Sequence, residues 1–434
     1  MRLVLVSLPT PYADCPAMDI PLGLGYISSY LKAHGHYDIQ LVDFNLETKY
    51  DYYDSKAYLT ELPLDGDVYG IQCYTPQFYW LTQVSGYIKR LNKNALIVAG
   101  GPHPSARPQE CLTKAKVDKV VVGEGEKAML DLMDGKDLGA ITGYPWIKEL
   151  DLLPFPDREL VDFKKYKRTI HGERAFHIIT SRGCPFHGSF CSKPCVGDLV
   201  RWRSAKNFIE EVDYSMEKYG VRNFVIYDDV FPLKKTRAIR IATELGKRRV
   251  RWRCWSRVDM LTRELLQIFK ACGLTSITFG IESGDDRILK VLNKGVTAQQ
   301  NEEALMLCKE LEIPVRASVI YGSPYETKES VDNTIELLKR TQPDEWNIAT
   351  LIPIPGSDIG DHPEKYDIKI HEDPLYMNYH RLGQSGMGNI MVDISTMSPK
   401  EYRETREYML KRLLKEVPRR VIQDTIQHFP QEDD

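Results

Sequence analysis

Short apolar segments alternate with amphipathic segments along most of the chain, and this alternation limits the fold more than any other feature. Residues 22–34 and 81–91 have the apolar spacing of helices. Strands that alternate with helices form parallel sheets through right-handed crossovers, and ligands bind beyond the carboxyl ends of their strands. We therefore predict an α/β fold that begins with a doubly wound, Rossmann-like domain over residues 1–140. Its predicted strands are residues 3–7, 39–43, 68–73, 95–99 and 119–122.

The alternation resumes after a proline-containing segment. Residues 141–172 mix acidic and apolar residues around Pro154 and Pro156, which is typical of an inter-domain linker. The pattern that follows is typical of a partial (β/α)6 barrel, which we place at residues 173–372, with its chemistry at the carboxyl ends of the strands. Its predicted strands are residues 176–180, 223–227, 252–256, 276–280, 315–320 and 346–351. Its predicted helices are residues 205–219, 234–247, 262–272, 297–311 and 328–340.

The end of the chain is more polar. We predict that residues 373–434 form a mostly helical extension on the substrate side of the barrel. Ser398, as a cap ahead of Glu401, predicts a helix over residues 399–417. A loop before this helix is rich in side chains that could contact a substrate. These residues are Met377, Tyr379, His380, Gly383, Gln384 and Met387.

The composition excludes several classes of protein. The chain has 434 residues, which fits two or three domains, and its net charge of −3 argues against a large sequence-independent contact with nucleic acid. No apolar run reaches the length of about eighteen residues that a membrane-spanning helix needs. The nine cysteines are an odd number, and most are scattered singly, unlike a disulfide framework. We therefore expect a cytoplasmic protein in a reducing compartment.

Three cysteines lie close together and predict a metal site. Cys184, Cys191 and Cys195 have the spacing C-x6-C-x3-C, and cysteine thiolates are the usual ligands of iron–sulfur clusters. The segment resembles the cluster loop of the radical S-adenosylmethionine (SAM) superfamily, whose signature is C-x-x-x-C-x-x-C. Cys184 and Cys191 match the outer positions, and Phe190 is the aromatic residue expected before the last cysteine. Gly188 stands where the middle cysteine is expected.

The glycine leaves three interpretations open. Cys195 could be the third ligand, because four residues reach about 13 Å when extended. His187 could bind instead, as imidazole does in some iron–sulfur centres. The site could also be degenerate, with Cys195 a small buried apolar residue. The sequence does not distinguish a natural Gly188 from an introduced one.

The resemblance implies two cofactors for the barrel. Members of the superfamily hold a four-iron, four-sulfur cluster through three thiolates, and SAM chelates the open iron and is cleaved to a 5′-deoxyadenosyl radical. Motifs at the ends of the predicted barrel strands, such as residues 280–284 (Gly-Ile-Glu-Ser-Gly), are similar to the SAM-binding elements. The SAM-binding residues that they imply are Phe190, Asp228, Asp229, Arg257, Glu282, Ser283 and Gly322.

The first domain carries a second resemblance. Its turns at residues 21–25, 100–104 and 122–126 are similar to those of the cobalamin-binding domain that precedes many radical SAM cores. Glycines there would let the backbone approach a corrin ring closely. The implied residues are Pro21, Gly23, Gly100, Gly101, His103, Gly123, Glu124 and Gly125. His103 is the candidate axial ligand, and a histidine hydrogen-bonded to backbone is the alternative. The alternative for the whole domain is a different nucleotide or no ligand.

Together the resemblances imply a cobalamin-dependent radical SAM enzyme that methylates an unactivated carbon, or phosphorus, of a small metabolite. Methylcobalamin would supply the methyl group. Cyclisation or rearrangement without methyl transfer is one alternative, and a degenerate accessory protein that binds cobalamin or SAM is another. The expected partners are a small-molecule substrate and an external electron donor of the flavodoxin or ferredoxin type, with no nucleic acid and no membrane.

Overall fold

A computed structural model describes residues 1–10, 16–46, 59–379 and 389–418. Its first sheet has six parallel strands in the order β2-β1-β3-β4-β5-β6, which confirms the Rossmann-like prediction. They are β1 (Leu3–Ser7), β2 (Ile39–Asp43), β3 (Val68–Gln72), β4 (Leu96–Gly100), β5 (Lys119–Val122) and β6 (Ile141–Gly143). β6 is not among the predicted strands, and it lies just after residue 140, the predicted end of this domain. The domain bounds stay a prediction.

Helices cover both faces of this sheet because its buried strands alternate their side chains between two apolar layers. Leu3 and Leu5 of β1 pack with the first and last helices, whereas Val4 and Val6 pack on the opposite face with the second. The helices are α1 (Leu22–Ala33), α2 (Phe78–Leu91), α3 (Pro102–Ala106), α4 (Pro108–Lys114) and α5 (Glu126–Met133).

The second sheet is a partial barrel of six parallel strands, as predicted. Each strand pairs with the one before it in the series, and β7 adds an antiparallel edge to β8. The strands are β7 (Thr169–Ile170), β8 (Glu173–Ile178), β11 (Asn223–Ile226), β12 (Arg251–Ser256), β13 (Leu274–Glu282), β14 (Val315–Tyr321) and β15 (Glu345–Thr350).

The five predicted barrel helices begin and end within two residues of their predicted bounds, and one further short helix, Asp286–Val291, was not predicted. In α6, Ser204 accepts a hydrogen bond from the amide of Asn207, and Gly220 ends the helix in the left-handed region. Phe208, Ile209 and Val212 form its buried face. The barrel helices are α6 (Ala205–Tyr219), α7 (Lys235–Lys247), α8 (Arg263–Ala271), α9 (Asp286–Val291), α10 (Ala298–Glu310) and α11 (Lys328–Thr341).

The cysteine loop leaves the barrel just after β8. A short antiparallel pair, β9 (Ser181–Arg182) and β10 (Arg201–Trp202), closes the base of this loop. Residues 183–200, which include all three clustered cysteines, therefore form one excursion from the end of the first parallel barrel strand.

The C-terminal extension packs on the barrel. After the short helix α12 (Asp358–Asp361) it forms the ladder of β16 (Ile368–Ile370) with β17 (Val392–Ile394), and then the helix α13 (Pro399–Glu416) against α11. Ser398 and Glu401 form the predicted capping box. Residues 380–388, where part of the candidate substrate loop falls, lie outside the described residues. Within the described ranges, no helix combines the length and apolar character needed to cross a membrane.

Candidate functional site

A cavity of about 490 Å³ opens at the carboxyl ends of the strands of the first sheet. On the side of the first domain it is lined by predicted cobalamin residues. These are Gly23, Gly100, Gly101, Gly123, Glu124 and Gly125. On the opposite side it is lined by Arg182 and Cys195 of the cysteine excursion, and by Tyr227 and Asp229 at the end of β11. The cavity thus lies between the first domain and the barrel. We call it the inter-domain cavity.

The walls of the inter-domain cavity fit cobalamin. Its deeper part is apolar, with Leu5, Val98 and Met129 among its lining residues, and can take an apolar portion of the nucleotide tail. Gly101 has φ 103° and ψ −170°, a combination that is essentially restricted to glycine. A Cβ built there would lie 3.0 Å from the carbonyl oxygen of Cys73. Glycine is therefore required here, where the rim of the cavity packs against the end of β3.

Glu124 ties the first domain to the flanks of the cysteine excursion. Its carboxylate accepts hydrogen bonds from Arg182 Nη1 at 2.7 Å and from Arg201 Nη1 at 2.8 and 2.9 Å. The amide of Ile147 donates a further bond at 2.8 Å. Burial alone would raise the pKa of Glu124, but Arg182 and Arg201 outweigh it and hold the pKa below its usual value. The predicted cobalamin residue Glu124 therefore also positions the loop.

Two predicted cobalamin residues do not line the cavity. Pro21 precedes α1, and its carbonyl accepts a bond from the amide of Gly25. His103 is fully buried, with its ring 4.5 Å from that of Phe78 and 4.9 Å from that of Tyr376. Its Nδ1 is 3.3 Å from Thr75 Oγ1, and burial lowers its pKa to about 4. His103 is therefore a neutral histidine in the apolar core.

Hydrogen bonds within the cysteine loop hold it compact. The ammonium group of Lys193 donates to the carbonyl oxygens of Cys184 and Phe186, both at 2.7 Å. The amide of Cys191 donates to the carbonyl of Gly188 at 2.9 Å, which closes a turn. Both cysteines at family positions therefore sit on one ordered loop.

The third cysteine faces another part of the molecule. Cys195 Sγ lies 3.3 Å from Ser105 Oγ of the first domain, and burial raises the pKa of this thiol to about 11. His187, the other candidate ligand, has a side chain that is 65% exposed, with Nδ1 3.7 Å from Asp198 Oδ2. Among the described residues, no three His, Cys, Asp or Glu side chains come close enough to hold a metal ion. The loop as folded therefore offers two of the three thiolates that the family uses, and does not fit a fully protein-ligated cluster.

A second cavity, of about 300 Å³, lies inside the partial barrel, and we call it the barrel cavity. Two predicted SAM residues line it, Phe190 from the cysteine loop and Glu282 from the end of β13. The carboxylate of Glu282 pairs with Lys294 at 2.8 Å. Hydroxyl and amide groups of Thr278, Ser318 and Asn347 complete a polar wall. This mixture of carboxylate, hydroxyl and apolar groups fits SAM, which carries an ammonium group, ribose hydroxyls and an adenine ring.

The two aspartates after β11 play different parts. Asp228 is buried and accepts bonds from the amides of Thr180 and Ser181, at 2.6 and 3.1 Å, and from both of their hydroxyls. It fixes the start of the cysteine excursion. Asp229 lines the inter-domain cavity. Its pKa is raised, first because the surrounding protein partly removes it from water and second because the charge of Asp228 repels its own.

The remaining predicted SAM residues lie outside both cavities. Arg257 makes a bidentate pair with Asp259, at 3.0 Å for each bond, and its guanidinium stacks 3.8 Å from the ring of Phe186 in the cysteine loop. Ser283 is buried and bonds to Thr334. Gly322 donates its amide to the carboxylate of Glu326.

Two aromatic residues that link the linings of the two cavities are absent from the predicted site residues. Tyr227 lines the inter-domain cavity, Trp255 lines the barrel cavity, and their ring centroids are 4.6 Å apart. The hydroxyl of Tyr227 donates to Asp19 at 2.9 Å and accepts from Arg168 at 2.7 Å. None of these four residues belongs to a recognisable motif. The one signal in the sequence is that Tyr227 is an aromatic residue at the end of a predicted strand.

His177 completes this polar group, with Nδ1 3.4 Å from Asp19 Oδ1. Burial lowers the pKa of His177 to about 4, so it is neutral at pH 7. Burial alone would raise the pKa of Asp19, but the charge and hydrogen bonds of Arg168 help to hold it below its usual value. Arg168 is therefore the cation that pairs with Asp19 at neutral pH. His177 is visible in the sequence as a polar residue within an apolar strand.

Comparisons with known proteins agree with this geometry. Residues 14–133 match the B12 binding domain, and residues 178–338 match the radical SAM superfamily. An uncharacterized methyltransferase of Pyrococcus horikoshii is 31% identical over 382 residues, which cover 82% of this chain and 82% of that protein. The anaerobic magnesium-protoporphyrin IX monomethyl ester cyclase of Rubrivivax gelatinosus is 28% identical, over 80% of this chain and 68% of that protein.

A solved structure shares the fold. The radical SAM methyltransferase TsrM from Kitasatospora setae, with cobalamin and a [4Fe-4S] cluster bound, superposes with a TM-score of 0.72 at 18% identity. The superposition covers 100% of this chain and 93% of that one. The two family matches fall in the order that the sequence predicts, cobalamin-binding domain first. The chain belongs to the family of radical SAM enzymes that carry a cobalamin-binding domain.

Proposed function

We propose that the chain is a methyltransferase that uses SAM and cobalamin to methylate an unactivated carbon, or phosphorus, of a small molecule. One observation carries the proposal: Tyr227, which lines the inter-domain cavity, contacts Trp255, which lines the barrel cavity, with ring centroids 4.6 Å apart. A group held in one cavity therefore lies beside a group held in the other. The relative from Pyrococcus horikoshii, which is named a methyltransferase, supports this choice.

The proposal gives each cavity one cofactor. Cobalamin, when bound, carries a methyl group that SAM replaces after each transfer. The glycines of the inter-domain cavity would let its backbone lie close to bound cobalamin, and its apolar lining residues would shield part of the cofactor from water. In the barrel cavity, Glu282 would accept hydrogen bonds from hydroxyl or ammonium groups of SAM, while Phe190 would supply an apolar contact. Cys184 and Cys191 are the protein's metal ligands.

We assign the substrate to the wall between the cavities. Tyr227 is held there by Asp19 and Arg168, so its ring is fixed in position. Asp19 comes from the first domain and Tyr227 from the barrel, so the wall is complete only when both parts of the chain are folded together. Preorganised side chains of this kind position a substrate without an ordering cost at the moment of reaction.

Anaerobic incubation with methyl-deuterated SAM, cobalamin, a chemical reductant and fractionated small metabolites tests the proposal. We expect a product that is heavier by one labelled methyl group. Tyr227→Ala should lose this product, whereas the control Tyr37→Ala, at a side chain that is 71% exposed, should retain it. A labelled product of equal yield from both variants would contradict the assignment of the substrate wall.

Cyclisation without methyl transfer is the second candidate, because the relative from Rubrivivax gelatinosus is named a cyclase. The same experiment separates the two: a cyclised product carries no deuterium from SAM. A substrate consumed without incorporation of label would therefore replace the methyltransferase proposal by the cyclase one.

We also propose that a small electron-transfer protein of the flavodoxin or ferredoxin type reduces this enzyme, and that the enzyme works in the cytoplasm. Supporting the second point, Cys73, Cys111, Cys254 and Cys308 are buried thiols scattered through both domains, a pattern typical of reducing compartments. Reduction of the reconstituted protein by flavodoxin, followed by absorbance, tests the first.

A further inference from the structure

We infer that Tyr376, in the C-terminal extension, is a positioning residue for cobalamin binding: together with Tyr379 it forms a brace between the wall of the inter-domain cavity and the barrel. Neither tyrosine itself lines the inter-domain cavity or the barrel cavity. The inference rests on the assignment of cobalamin to the inter-domain cavity under the proposed function, and it does not depend on methyl transfer.

Tyr376 packs into the first domain. Its ring centroid lies 4.9 Å from that of His103 and 5.8 Å from that of Phe78. Its hydroxyl donates to Glu110 Oε2 at 2.9 Å. The neighbouring Leu375 also packs against the apolar core of this domain. A segment that is distant in the sequence thus completes an aromatic cluster of the first domain.

His103 connects this cluster to the cavity wall. It belongs to α3, and its amide donates to the carbonyl of Cys73, just after β3, at 3.1 Å. Residues 100–102, which immediately precede His103, line the inter-domain cavity. The ring of Tyr376 therefore supports the short segment that forms this part of the wall. Because protein interiors are close-packed, loss of the ring would leave a space into which the segment could shift.

Tyr379 packs on the barrel. It is 5% exposed and lies against Ile352 and Met391. Ile352 follows β15 and lines the barrel cavity. The rings of Tyr376 and Tyr379 are in contact, with centroids 4.9 Å apart and planes at 85°, which is a favourable arrangement of an aromatic pair. Two adjoining rings therefore connect the wall of one cavity to the wall of the other.

The backbone at Tyr376 is strained. Its φ is 55°, in the left-handed region that a bulky residue seldom adopts. The carbonyl of Asp373 accepts the amide of Tyr376 at 3.0 Å, and its carboxylate accepts the amide of Asn378 at 2.7 Å. Lys114 of the first domain donates to the carbonyl of Pro374 at 3.3 Å. Strained backbone persists only where surrounding contacts fix it, so the contacts of this segment outweigh the cost of the conformation.

The affinity of the full chain for hydroxocobalamin, measured by equilibrium dialysis and absorbance, tests the inference. We expect Tyr376→Ala to bind about tenfold more weakly than wild type, because part of the binding energy then restores the wall. Tyr376→Phe keeps the ring contacts and loses only the bond to Glu110, so it should bind within about threefold of wild type. The matched control is Tyr325→Ala, at another tyrosine with positive φ (60°) that is 41% exposed, and it should bind as wild type does.

Hydrogen exchange of the cofactor-free protein separates positioning from general stability. The amides of Ser105 and Arg107 bond to the carbonyls of Gly101 and His103. They should exchange faster in Tyr376→Ala, whereas the amides of the barrel helix α6 should exchange at the wild-type rate. If Tyr376→Ala does not fold, Tyr376→Leu keeps an apolar side chain without a ring and should show the same changes to a smaller degree.

Several results would overturn the inference. One is hydroxocobalamin binding by Tyr376→Ala, or by Tyr376→Leu in its place, that is as tight as in wild type. Another is faster exchange throughout α6, which would show general destabilisation. Equal losses of affinity in Tyr376→Phe and Tyr376→Ala would assign the effect to the hydroxyl group and not to the brace of rings. Wild type that binds no hydroxocobalamin would contradict the assignment of cobalamin to the cavity, and with it both the proposed function and the inference.

Discussion

Replacement of Glu124 by alanine should weaken the contact between the first domain and the cysteine excursion and lower the free energy of unfolding. The carboxylate is 6% exposed and is bonded to two guanidinium groups and one amide. Removing one partner of a buried ion pair costs about 3–5 kcal/mol. Arg182 keeps a second carboxylate, Glu126, at 2.8 Å, and Arg201 keeps the carbonyl of Ile147 at 3.0 Å. We therefore expect the lower end of that range, about 3 kcal/mol.

Urea unfolding of the cofactor-free protein, followed by tryptophan fluorescence, measures this loss. Trp146 is a useful reporter because the guanidinium of Arg201 lies 5.7 Å from its ring. The control is Asp137→Ala. It removes an ion pair with Lys119, and the side chain of Asp137 is 98% exposed. Such a pair contributes about 0–1 kcal/mol. If Glu124→Ala costs no more than Asp137→Ala, the buried network does not hold the two parts together and the reasoning is refuted.

Three further predictions concern single residues. Burial raises the pKa of Glu326 to about 8, so the folded protein binds this proton more tightly than the unfolded chain, and its stability should fall as pH rises from about 4.5 towards 8. Glu326→Gln should abolish that part of the pH dependence in urea unfolding, and an unchanged slope would contradict it. Gly101→Ala should cost about 1–3 kcal/mol and weaken cobalamin binding, whereas Gly35→Ala, strained at φ 92° with no atom within 4 Å, should leave binding intact. His103→Phe should leave the electron paramagnetic resonance spectrum of bound cob(II)alamin unchanged, because a histidine in the core is not a cobalt ligand. If the wild-type spectrum shows nitrogen splitting and His103→Phe lacks it, His103 is a cobalt ligand.

The architecture could be predicted from the sequence because local patterns specify it. Residues 223–226 form a buried strand between two helices with clear apolar faces, and each helix carries its own end signals, such as Ser204 and Gly220 around α6. Sequential order then determines which strands are neighbours. By contrast, Ile141–Gly143 is short and half exposed, and its pairing with β5 leaves little trace in its composition.

The site could be predicted only in part, because much of it is made by contacts between distant segments. Glycines after strands and the Glu282 motif are local signals, and they line the cavities. The placement of Cys195 depends on Ser105, ninety residues earlier in the chain. The wall between the cavities depends on Asp19 meeting Tyr227 across the two domains. No spacing within the sequence reports such pairs.

Transfer of the methyl group of deuterated SAM to enzyme-bound cobalamin, without substrate, is the measurement that tests the account most directly. It needs the two cavities to hold their cofactors next to each other, and it does not need the identity of the substrate. After anaerobic incubation with reduced cobalamin, we predict deuterated methylcobalamin on the wild type and much less on Gly101→Ala. If the wild type is saturated with both cofactors and its cobalamin still carries no deuterated methyl group, the proposed arrangement of the two cofactors is contradicted.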